Sequence, residues 1–251
     1  MNYRLIAATT GLCAATLTAS AVDLLTQDWS NTALIVTNDD WSALWNGSYG
    51  IIGYRGDSLG GGTGFDPQSV LGDSSVVDVN ANLLNPNTFA TGGIGEFELT
   101  DPTIALQGSG TAAAPYLLLS FAATGYRDIN ISYTLRDIDG STDNSVQQLA
   151  LQYRLGSAGS WTNLPAGYVA DASAGPSLAG MATPVSVNGP TALDDQSMVQ
   201  FRILTTNAVG SDEWIGVDNI VISGTAIPEP STYAALCGVA ALALAAWRRR
   251  S

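Results

Sequence analysis

Histidine and lysine are absent from all 251 residues, and the only cysteines are Cys13 and Cys237. Each absence removes a chemistry. Without imidazole or amine there is no Ser-His-Asp or Cys-His catalysis, no Schiff-base lysine, no phosphate-loop lysine and no histidine-ligated zinc or copper. Both cysteines sit in apolar segments near the chain ends, so the long stretch between them has no thiol for a disulfide or a nucleophile. Positive charge is scarce too. Between Asp23 and Asp218, twenty-one acids face only Arg55, Arg127, Arg136, Arg154 and Arg202, a net charge near −16. Such a surface repels nucleic acid, whose binding depends on Lys and Arg neutralising phosphates, and suits solvent, neutral polysaccharide or divalent cations.

The two ends carry recognisable patterns. Arg4 precedes an apolar run from Leu5 to Leu17, and Ala19-Ser20-Ala21 is a small-residue cleavage pattern, so residues 1–21 read as a helical signal peptide with the mature chain starting near Val22. The other end runs Pro228-Glu229-Pro230-Ser231-Thr232, an apolar stretch over 233–247, then Arg248-Arg249-Arg250. A helix over that stretch spans roughly 22 Å, short of the roughly 30 Å hydrocarbon core. It therefore reads as a short transmembrane segment that holds the chain transiently, with the three arginines as a cytoplasmic stop. This three-part tail resembles the PEP-CTERM sorting signal of exopolysaccharide-producing bacteria. The resemblance implies an exosortase-type processing enzyme as partner, Pro228, Glu229 and Pro230 as the sorting motif, and delivery to the cell envelope, cell surface or extracellular matrix.

Residues 22–226 between these tails are long enough for one sizeable all-β domain. Period-two alternation is clearest at Ile129, Ile131, Tyr133 and Leu135, and again at Leu149, Leu151, Tyr153 and Leu155. The polar loop from Asp139 to Asn144 lies between them, which reads as a β-hairpin with one buried face. Val199, Phe201 and Ile203 repeat the pattern with Gln200 and Arg202 facing outward. The run from Trp214 to Ile222 is apolar on both faces and reads as a central strand of one sheet packed on another. Shorter strands are expected over 51–54, 76–79, 103–106 and 116–122. Gly60-Gly61-Gly62-Thr63-Gly64 reads as turns, since Asp66-Pro67 follows where a phosphate-loop helix would begin. Arg136, Arg154 and Arg202 occupy polar strand positions and are expected to pair with neighbouring acids. Trp161 and Trp214 read as core.

The segments Leu135-Arg136-Asp137-Ile138-Asp139-Gly140, Ala150-Leu151-Gln152-Tyr153-Arg154 and Asp212-Glu213-Trp214-Ile215-Gly216-Val217-Asp218-Asn219-Ile220 resemble a β-sandwich module of bacterial secreted proteins, which also accompanies extracellular nucleases. The resemblance implies a jelly-roll-like β-sandwich with an accessory, non-enzymatic role. It also implies a calcium ion joining an N-terminal loop to the last strand, with Asp39, Asp40 and Asp218 as ligands. Acids cluster elsewhere as well, Asp137 with Asp139 and Asp143, and Asp212 with Glu213. Trp41, Trp45 and Tyr49 crowd one short region, where exposed rings can stack on sugar faces, so carbohydrate is the expected ligand and core packing the alternative. The competing function is a carboxylate-dependent glycoside hydrolase or polysaccharide lyase, which needs only two suitably spaced acids; Glu96 and Glu98 share a strand face.

Overall fold

The computed structural model describes residues 20–140, 145–173 and 181–250, with backbone alone for 230–236. The expected signal peptide, Cys13 included, lies outside the described residues apart from Ser20 and Ala21. Twelve strands among the described residues build two facing sheets.

The first sheet runs β10 (Ala182–Asn188), β7 (Tyr126–Asp137), β12 (Ile215–Ala226), β5 (Thr103–Gln107), β4 (Gly93–Phe97) and β3 (Asn80–Leu83). β1 (Ala21–Gln27) continues the β5 side of β12: β5 pairs with residues 215–217 and β1 with residues 220–225. The second sheet runs β2 (Gly50–Tyr54), β6 (Tyr116–Phe121), β11 (Val199–Thr205), β8 (Leu149–Leu155) and β9 (Thr162–Asn163). Every pairing is antiparallel except β3 with β4. The result is the expected β-sandwich. Its interior takes Ile129, Ile131, Tyr133, Leu135, Ile215 and Val217 from one sheet and Leu117, Leu119, Leu151, Phe201 and Ile203 from the other.

β12 is the central strand that its two-sided apolar pattern requires, with β7 on one edge and β5 plus β1 on the other. Its outer face is covered as well: Trp214, Phe97, Ala105 and Ile138 form a smaller apolar cluster there, with Phe97 edge-on to Trp214 at 5.1 Å. β10 contains Pro184 and lies at a sheet edge, where a missing amide donor is tolerated.

Three sequence expectations need correction. β7 and β8 are not a hairpin; they lie in different sheets, and the chain between them crosses from one to the other. Alternation reports that each strand buries one face, and both strands of a sandwich do so whether or not they pair. Residues 76–79 form no strand. Val77 alone bridges to Tyr54, flanked by the Arg55 amide donating to the Val76 carbonyl at 3.0 Å and the Asp78 amide to the Gly53 carbonyl at 3.1 Å; the pairing stops there because Val79 turns to Asp39, its amide donating to Oδ1 at 3.0 Å and its carbonyl accepting from the Asp39 amide at 2.9 Å. Gln200 and Arg202 do not face water; both are buried.

Past β12, Pro230 opens helix α1 (Pro230–Arg248), and Glu229 is its N-cap residue without a side-chain cap bond. The expected transmembrane segment 233–247 lies within α1. Among the described residues no helix is long and apolar enough to cross a membrane. Ala and Gly dominate the segment, and small side chains carry little apolar area.

Candidate functional site

A cleft of about 510 Å³ opens between β1, the loop before β2 and the end of β6. Its wall includes Leu24, Leu25, Trp45, Asn46, Tyr49 and Phe121. The loop that carries the two aromatic rings is held by its own backbone. The Leu44 and Trp45 amides donate to the Trp41 carbonyl at 2.9 and 2.8 Å, the Asn46 amide donates to the Tyr49 carbonyl at 3.1 Å, and Asn46 Oδ1 accepts from the Ser48 and Tyr49 amides at 3.0 and 2.8 Å. Gly50 joins the loop to β2 with φ of 113°, and a Cβ there would lie 1.9 Å from the Leu44 carbonyl oxygen. No other residue fits that contact. The Tyr49 hydroxyl donates to the Ser197 carbonyl at 3.0 Å, which fixes its ring.

Trp45 and Tyr49 are therefore half-buried cleft residues. Trp41 is not. It is 3% exposed in the main core, its Nε1 donating to the Asp78 carbonyl at 3.2 Å, and it anchors the loop from beneath. Leu24, Leu25 and the Ser120–Ala122 wall escaped sequence reading, because distant strands bring them to the cleft and no local pattern marks them.

The proposed metal ligands do not converge. Asp39 spends Oδ1 on the Val79 amide, and Asp40, exposed, accepts from the Ser42 amide at 2.9 Å, which holds its carboxyl below the usual range. Asp218 is buried on β12, where Oδ2 takes Arg136 Nη1 at 2.7 Å and Oδ1 takes the Asn219 amide at 2.7 Å. Burial still raises the Asp218 carboxyl, outweighing the arginine. Among the described residues no group of three or more His, Cys, Asp or Glu is arranged to hold a metal ion. Glu96 is buried and its Oε2 accepts from the Asn82 amide at 2.7 Å.

The arginines behave as two kinds. Arg136 on β7 bridges Asp218 on β12, a cross-strand ion pair as expected, and Asp101 in a loop; Arg154 on β8 pairs with Asp73, also in a loop, at 2.7 Å while donating to Gln200 at 2.7 Å. Arg202 is fully buried instead. It donates to Gln152 Oε1 at 2.6 Å and to the Gly72 and Val70 carbonyls at 2.6 and 2.5 Å, and it stacks on Trp161 at 4.3 Å. Desolvation lowers its guanidinium to about 10. The segment 66–73 thus closes over the outer face of the second sheet, and Trp161 is buried with it.

A family model described as the PEP-CTERM protein-sorting motif matches residues 226–250. The tail therefore carries that motif, which marks an exported protein. Its Pro228-Glu229-Pro230 begins two residues beyond β12, and Arg248, Arg249 and Arg250 close α1. No curated protein matches the chain in sequence. Among solved structures, the chain is similar in its β-sandwich fold to a carbohydrate-binding module described as specific for non-crystalline cellulose, at 14% identity, TM-score 0.35, and 58% and 96% coverage of this chain and that one. A module solved with β-1,4-galactotriose is 6% identical, TM-score 0.32, with 49% and 70% coverage. The cleaved adhesin domain of Lys-gingipain from Porphyromonas gingivalis is 14% identical, TM-score 0.36, with 81% and 99% coverage.

Proposed function

We propose that this chain is an exosortase-sorted protein of the cell surface or exopolysaccharide matrix whose β-sandwich binds glycan without cleaving it. The observation that carries the reading is the cleft in which Trp45 and Tyr49 stand half-buried on a backbone-braced loop. Rings held rigid before binding lose little entropy on stacking against a sugar face. Among the described residues no aspartate or glutamate lines that cleft, and glycoside hydrolysis needs a carboxylate pair flanking the bond. The acidic surface favours a neutral polysaccharide over an anionic one.

A glycan array probed with the full chain tests this, followed by assay of the retained glycans for new reducing ends. Retention without reducing-end release is expected. Release that disappears when a single acid is mutated would establish the hydrolase or lyase reading instead.

A further inference from the structure

At one end of the sandwich the interior turns from apolar to acidic. β7 and β12 pair with Asp137 opposite Ile215, and the Ile138 amide donates to the Trp214 carbonyl at 3.2 Å, which carries the register one step past both strands. Alternation then puts Asp137, Asp139 and Glu213 on the face from which Leu135, Ile215 and Val217 enter the core. The three acids are 1%, 4% and 0% exposed. From the opposite sheet come Gln147 and Thr205, joined at 2.5 Å, and the Glu213 amide donates to Gln147 Oε1 at 3.4 Å. The hydroxyls of Ser145 and Ser173 lie 3.1 Å apart beside Glu213, and Asp171 accepts from Ser173 at 2.9 Å.

Two oxygens in this chamber have no hydrogen-bond partner among the described residues, Asp137 Oδ2 and Glu213 Oε1. The second oxygen of each is engaged, Asp137 Oδ1 by the Asp139 amide at 3.1 Å and Glu213 Oε2 by the Ser145 hydroxyl at 3.4 Å. The arginines of the sandwich are committed elsewhere: Arg55 to Asp57, Arg127 to Asp128, Arg136 to Asp101 and Asp218, Arg154 to Asp73, and Arg202 to backbone carbonyls. Burial, and then the Glu213 carboxylate, push Asp137 up to about 7; burial raises Glu213 too, with Asp139 and Asp171 adding repulsion. Buried carboxylates that repel one another are stable only when protonated or when a cation joins them.

We propose that this chamber binds a calcium ion, with Asp137 Oδ2 and Glu213 Oε1 as its anionic ligands and the Ser145 and Ser173 hydroxyls among its neutral ones. Calcium takes six to eight oxygens in variable geometry, including carboxylates, neutral oxygens and water. Two carboxylates suffice, so a three-acid cluster is not required. The ion would tie the end of β7 to the start of β12 and to the chain leading into β8, at the point where the two sheets connect. This site is separate from Asp39, Asp40 and Asp218, and it does not depend on glycan binding.

Calorimetric titration of the full chain in mild detergent at about pH 7.5, with Tb³⁺ emission sensitised by the adjacent Trp214 as second readout, tests the proposal. One bound ion is expected, with a melting temperature raised by about 5–10 °C at a hundredfold excess over Kd. Asp137→Asn and Glu213→Gln should each abolish binding, and Asp137→Asn should raise the melting temperature of the calcium-free protein. Absence of both heat and Tb³⁺ emission in the unaltered chain at about 10 mM calcium overturns the proposal, whether or not the variants fold. A melting temperature that responds to pH but not to calcium also overturns it, because a proton then occupies the place of the cation.

Discussion

Single residues decide how this sandwich responds to pH and to substitution. Asp78 and Asp212 are raised to about 6 and Asp137 to about 7, burial being the largest cause in each. An acid whose folded pKa lies above its unfolded value keeps its proton longer in the native state. Its contribution is complete below about pH 4 and is lost as pH rises through 6 to 7. In calcium-free solution, urea midpoints should therefore fall between pH 4 and 7, and Asp137→Asn should flatten the upper part of that fall. A midpoint that rises over the same window would contradict these burial effects. Arg202 makes the opposite case. Replacing it with Met leaves the Gly72 carbonyl and Gln152 Oε1 without their donor in a buried site and takes one of two donors from the Val70 carbonyl, so urea unfolding should show a loss of about 3 kcal/mol. Arg127→Met, at an exposed ion pair, should shift stability by about 0.5 kcal/mol or less.

At the scale of elements, the cleft depends on how the loop before β2 meets that strand. Gly50→Ala places a Cβ against the Leu44 carbonyl oxygen in a left-handed conformation, so it should lower the melting temperature by about 2–8 °C and weaken glycan retention together. A variant that melts normally and still binds would show that the brace is unimportant. Strand identity was legible wherever alternation ran for several residues, as in β7, β8 and β11, and in β12 from a run apolar on both faces. Strand partnership was not. The same inward-facing pattern appears in β7 and β8, yet only topology decides that they occupy different sheets. β1, β3 and β10 were missed because they abut the export segment, carry two asparagines or contain Pro184. Arg202 looked solvent-facing from period two alone; the segment that buries it comes from some 130 residues away. The aromatic cluster was legible in two of its three members, because nothing local distinguishes Trp41, which lies under the loop, from Trp45, which lies on it. The acids were grouped by sequence proximity, whereas the fold joins Asp137 to Glu213 and sends Asp218 to Arg136.

For the whole molecule, the chain ends govern destination and the sandwich governs what arrives. With both tails removed, the remaining domain is thiol-free and strongly acidic. In an exosortase-positive host, mass spectrometry should find the exported form without Arg248 to Arg250, and replacing Pro228-Glu229-Pro230 with alanines should leave the intact tail on the chain. Recovery of the same mature mass from both would contradict processing at this motif. Glycan binding at the cleft is the central claim. Affinity electrophoresis through gels containing neutral exopolysaccharide tests it directly, comparing the full chain with Trp45→Ala. Retardation of the full chain, weakened about tenfold in the variant at unchanged melting temperature, is the predicted result; equal retardation of both, or of neither, would contradict it.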